Sequence, residues 1–108
     1  MLELPFLTDI NFTNIKEISP KDIKIRKKLN IYVADNLNKK QTCILYINQK
    51  SRVLQKEVTI YEDIIIKTKN FGDYDFKEKY IFIDAPLCSK AKLKLENHDW
   101  IVISLYIT

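Results

Sequence analysis

The sequence predicts a small α/β (or α+β) domain. It has a mixed β-sheet in the order strand, strand, helix, strand, helix, strand, preceded by an irregular apolar arm. Three observations predict it. The 108 residues are 46% hydrophobic, with branched runs such as Ile64-Ile65-Ile66 and Ile101-Val102-Ile103 that demand a packed core. Apolar residues alternate early in the chain and recur at helical spacing in two later stretches. Strands separated by helices pair in parallel through right-handed crossovers, whereas two strands joined by a short turn pair antiparallel. The length fits one domain, with residues 1–19 as the arm and residues 20–108 as the α/β core.

The elements follow in order. In the arm, Leu4, Phe6, Leu7, Ile10, Phe12 and Ile15 show neither period, so it reads as an irregular segment docked on the domain or on a neighbour. From Ile23, the residues Ile25, Leu29, Ile31 and Val33 fall on one face and Lys24, Arg26, Lys28, Asn30 and Tyr32 on the other. A strand is placed at residues 28–34; residues 20–27 stay open between its continuation and a short helix entered through Ser19-Pro20. Asp35-Asn36-Leu37-Asn38-Lys39-Lys40 is a turn, because Asn and Asp tolerate left-handed backbone. Residues 42–47 are apolar on both faces, as in an interior strand. Leu54, Val58, Tyr61 and Ile65 predict a helix within residues 51–69, with Ser51 as cap and Gly72 as stop, although the β-branched content also fits a strand. Residues 79–83 form a short buried strand. Asp84-Ala85-Pro86 resembles a helix entrance, followed by the stripe Leu87, Ala91 and Leu95, with a strand ranked second. Residues 100–107 close the sheet as a long apolar strand.

Composition excludes more than any motif supports. Gly72 is the single glycine, and loops of the G-x-x-x-x-G-K-[ST] or G-x-G-x-x-G kind cannot be built without several. The N-terminal residues carry no basic leader, and no apolar run nears the roughly 20 residues needed to cross a bilayer, so a cytoplasmic protein with no membrane partner is expected. Two cysteines, Cys43 and Cys88, agree with a reducing compartment, although sequence leaves their pairing open.

The formal net charge is +4, and its distribution is uneven. Residues 21–56 hold ten basic groups against Asp22 and Asp35, whereas residues 57–84 hold seven acids against four lysines. Such asymmetry gives a directional field. Two of the eighteen basic residues, Arg26 and Arg52, are arginines, and the lysine excess also matches an A/T-rich coding bias. Lys24, Arg26, Lys28, Lys39 and Lys40, with Tyr32 and Tyr46 beside them, are candidate nucleic-acid contacts that would combine a basic groove with base stacking.

Two constellations suggest chemistry. The first is Asp84-Ala85-Pro86-Leu87-Cys88-Ser89-Lys90, which places a thiol at a helix entrance where N–H groups and a lysine favour the thiolate. It resembles the strand–C-P-x-C–helix junction of glutaredoxins, with Ala85 where their first cysteine would stand. The resemblance implies redox chemistry, but dithiol exchange needs the missing cysteine. The second is acidic. Asp35 and Asp84 each follow a predicted strand, and if those strands are neighbours the carboxylates would share a divalent ion, with Glu57 or Glu62 as a third ligand. The arrangement resembles part of a ribonuclease H-like fold, which implies metal-dependent phosphoryl transfer. His98, the single histidine, lies ten residues from Cys88 and next to Asp99, where a nucleophilic set is conceivable.

The leading expectation is a small protein-interaction or regulatory module without catalysis of its own. It would meet another protein, or a second copy of itself, through residues 1–19. The alternatives are a nucleic-acid binder using residues 21–56 and an enzyme, either nuclease-like at Asp35, Asp84 and Glu57 or thiol-dependent at Cys88. No cofactor is expected.

Overall fold

A computed structural model describes residues 12–106. The alternation at Ile31 and Val33 builds β2 (Asn30–Asp35), which turns through residues 36–40 into β3 (Gln41–Asn48). The pair is antiparallel, as predicted, from Asn30 opposite Tyr46 to Asp35 opposite Gln41. Asn36 closes the turn: its side-chain oxygen accepts from the backbone of Asn38 at 2.8 Å and of Lys40 at 3.0 Å, and Lys39 takes the left-handed conformation. This is the Asx chemistry that stands in for glycine.

The arm expectation is corrected over its second half. Residues 1–11 lie outside the described part, but Thr13–Ile18 form β1, an edge strand antiparallel to β2. A register shift between Thr13 and Lys16, with Asn14 at φ 53°, breaks the alternation that would have announced it. Pro20–Ile23 then make one 3₁₀ turn capped by Ser19, whose hydroxyl accepts from the Lys21 backbone. Residues 24–29 are irregular rather than strand, yet Ile23 and Leu29 are buried and Ile25 packs against the same core, so the inward residues were assigned correctly.

Helix α1 (Glu57–Gly72) starts later than the expected Ser51. Val53 explains why. Its N–H donates to Pro86 at 2.8 Å and its carbonyl accepts from Cys88 at 3.1 Å, which holds it extended beside Leu87. The buried stripe is Val58, Tyr61, Ile64 and Thr68, leaving Leu54 outside the helix and exposed. Gly72 ends the helix without a positive φ; Asp73 takes the left-handed position at φ 53°. The absence of a side chain at 72 is used differently: the Tyr74 ring lies where a Cβ would stand and would have to turn aside for any other residue.

The chain returns as β4 (Glu78–Asp84), passes through α2 (Ser89–Asn97) and ends the sheet with β5 (Trp100–Ser104). The sheet order is β1-β2-β3-β4-β5, with β3, β4 and β5 parallel. β5 is an edge strand with Ile101 exposed, and it is shorter than the expected residues 100–107. Both helices cover one face, where Val58, Tyr61, Ile64, Ala91 and Leu95 pack on Ile31, Val33, Leu45, Ile47, Ile81 and Ile83. Burying a side chain of this size contributes roughly 1.5–3 kcal/mol. The opposite face carries a second, aromatic cluster around Phe12, Tyr32, Ile44, Tyr46 and Phe82. Among the described residues, no helix is long and apolar enough to cross a membrane.

Candidate nucleic-acid interface

Register decides which residues meet. Asn30 of β2, Asn48 of β3 and Asp84 of β4 share one end of the sheet, the carboxyl end of the parallel strands. Ligands of open α/β sheets gather at that end, because the connecting loops and helix N-termini converge there. Here the two connections carry Lys21, Lys24, Arg26, Lys27 and Lys28 before β2, and Lys50, Arg52 and Lys56 after β3. Eight of the ten cations in residues 21–56 therefore stand at this end. Lys39 and Lys40 do not. They sit on the β2–β3 turn at the opposite end.

A cleft of about 610 Å³ opens in this basic end. Pro20, Ile25 and Leu29 supply apolar wall, Lys21, Arg26 and Lys28 supply charge, and the carboxamides of Asn30 and Asn48 line it at the strand ends. Each carboxamide is held. Asn30 donates to Glu17 at 3.2 Å, and Asn48 bonds the Tyr46 hydroxyl, which donates in turn to Asp84 at 3.5 Å. Burial raises the Tyr46 pKa and the Asp84 carboxylate adds to the rise, so Tyr46 stays protonated and keeps donating. Lys27 lies in the wall but is engaged: it pairs with Glu57 at 3.3 Å and lies 5.8 Å from the Tyr61 ring centre.

The structure separates several residues that the sequence suggested together. Asp35 and Asp84 stand opposite the two ends of β3, about 23 Å apart along the strand at ~3.3 Å per residue. A shared ion between them is therefore ruled out in this fold. Asp35 instead accepts from Asn14 at 2.9 Å, at the bulge of β1. Glu57 faces Lys27 and Tyr61 on the helical side, whereas Asp84, in phase with Phe82, belongs to the other face. Glu62 is instead bonded to Lys79 and to the His98 ring. Among the described residues, no three His, Cys, Asp or Glu side chains group as metal ligands would.

Tyr32 and Tyr46 are corrected as stacking candidates. They are 2% and 9% exposed within the aromatic cluster, so neither offers a free ring face to a base. Burial, reinforced by Glu17 and Tyr46, pushes the Tyr32 hydroxyl up to about 12, and among the described residues that hydroxyl has no hydrogen-bond partner.

Cys88 is the N-cap of α2, one position before the helical turn expected to hold it. Although its side chain makes no capping hydrogen bond, the nearby backbone N–H groups of Ala91 and Lys90 hold the thiol below its usual range, with Arg52 and Lys90 adding to the effect. Cys43 is its opposite, buried in β3 and pushed up to about 12 by desolvation. The two are not bridged. His98 is the C-cap of α2, about 15 Å from Cys88 at ~1.5 Å per residue, so no nucleophilic pair forms.

Sequence reasoning covered Lys21, Lys50 and Arg52 only as part of the basic segment 21–56, and did not name Asn30 or Asn48 as site residues. The available signal was an amide ending an otherwise apolar strand, Tyr46-Ile47-Asn48, on the carboxyl side of the sheet.

Comparison with known proteins adds the fold. No protein family matches the chain. It is 33% identical over 94 residues to uncharacterized protein BBD11 of Borreliella burgdorferi, a match covering 87% of this chain but 27% of that protein. The chain thus spans about a quarter of that relative. The structure is similar to EndoMS in its apo form, with a TM-score of 0.54 over 90% of this chain and 38% of that one. At 11% identity, the likeness concerns the fold alone.

Proposed function

We propose that this domain is a non-catalytic nucleic-acid-binding module of the cytoplasm, gripping phosphates with the basic carboxyl end of its sheet. One observation carries the reading: folding brings Lys21, Arg26 and Lys28 into the lining of one cleft, with Lys24, Lys50 and Arg52 on the connections at the same end of the sheet, away from the acids of the α1–β4 connection. Lysine and arginine on loops reach phosphates without reading bases, and this contact dominates affinity. The split positions of Asp35 and Asp84, and of Cys88 and His98, support binding over the nuclease-like and thiol readings. The expected interaction surface at residues 1–19 falls largely on residues outside the described part.

The test is fluorescence anisotropy with a labelled mixed-sequence oligonucleotide across a salt series. The wild-type protein is expected to bind at about 50 mM salt, with log affinity falling against log salt at a slope of about −2 to −4. Replacing Lys21, Arg26 and Lys28 together by Glu flattens that slope by about 2, at ~0.7 per lost phosphate contact on a single strand. Absence of binding at low salt, or an unchanged slope in the triple variant, removes the proposal.

A further inference from the structure

We infer that the cleft takes one unpaired nucleotide, so that the ligand is single-stranded nucleic acid rather than duplex. This rests on the nucleic-acid reading above and deepens it. The walls differ in kind. Pro20 and Ile25, with the edge of the largely buried Leu29, form an apolar side, while Lys21, Arg26 and Lys28 stand where flanking phosphates would run. A pure phosphate site has no use for the apolar side, because phosphate gains nothing from it. A nucleotide needs both.

Asn30 and Asn48 complete the match. Glu17 occupies one N–H of Asn30, and the Tyr46 hydroxyl occupies one N–H of Asn48. Among the described residues, each carboxamide keeps a carbonyl and a second N–H for a ligand. An acceptor and a donor side by side are what the edge of a base reads through. They line the cleft at the strand ends, so a base must leave its stack to reach them. In a duplex the ring faces are hidden by stacking, so the apolar side and the two carboxamides can be used together only by an unpaired base. The tyrosines of the aromatic cluster take no part, since they are buried.

The experiment compares a fluorescein-labelled 12-mer as single strand and as duplex, with wild type, Asn48→Ala, and the Lys21, Arg26 and Lys28 to Glu variant. Asn48 is exposed at a strand end, so its truncation leaves the core intact; far-ultraviolet circular dichroism checks this. The single strand is expected to bind about tenfold tighter than the duplex. Asn48→Ala should weaken single-strand binding about five- to tenfold and change duplex binding less than about twofold. If both strands bind equally and Asn48→Ala changes neither, the inference is overturned while the phosphate-binding reading stands. If neither binds, the phosphate-binding reading has failed and this one falls with it.

Discussion

The two cysteines show how far one side chain's surroundings set its chemistry. Cys43 sits at 0% exposure between strands, and Cys88 stands half-exposed at a helix entrance under two N–H groups. Alkylation by iodoacetamide at about pH 7.5 should therefore label Cys88 rapidly and Cys43 only once denaturant opens the core. Peptide mass spectrometry reads both sites, and equal labelling rates in the native protein would contradict the structure. The Cys88 microenvironment was legible in Asp84-Ala85-Pro86, because that run announces the end of a strand and the start of a helix. The role of Gly72 was legible only by half. Its position at a helix end follows from sequence, but the use of its missing Cβ by the Tyr74 ring, two residues on, does not. The left-handed positions went instead to Asn14, Lys24, Lys39, Asp73 and Asp99, as befits a chain with one glycine.

At the level of elements, the strands that obey a period were readable and the one that breaks it was not. β2, β3, β4 and both helices follow from apolar spacing, while the start of α1 was displaced by the extended pairing of Val53 with residues 86 and 88. That pairing joins residues more than thirty apart and leaves no local trace. β1 was hidden by its bulge, where Asn14 takes φ 53° and donates to Asp35. The bulge can be tested directly. Asn14→Val places a β-branched side chain in left-handed backbone and should cost about 1–3 kcal/mol of stability. Asn14→Gly keeps the conformation and loses one exposed hydrogen bond, so its cost should be less than half as large. Urea unfolding midpoints measure both, and a valine variant as stable as the glycine one would mean that residue 14 does not hold this conformation.

For the whole molecule, the decisive property is where the charge goes. The excess of cations in residues 21–56 was plain from sequence, but one linear segment became two places. The β2–β3 hairpin carries Lys39 and Lys40 to the far end, beside Asp35, Glu78 and the acids at 73 and 75, whereas Lys24 and Arg26 stay at the cleft end. This separates position from total charge. The pair Lys39→Glu, Lys40→Glu and the pair Lys24→Glu, Arg26→Glu each lower the formal net charge from +4 to 0. A protein that attracted nucleic acid through overall charge would lose the same affinity in both. Binding at the carboxyl end instead predicts a loss of about tenfold or more for the Lys24 and Arg26 pair, against less than about twofold for the hairpin pair, at about 50 mM salt. Long-range attraction from the hairpin contributes little, because it acts across about 23 Å, more than the Debye length of ~14 Å at that salt. Equal losses would return the protein to a diffuse polycation, and a larger loss at the hairpin would move the ligand to the other pole of the sheet.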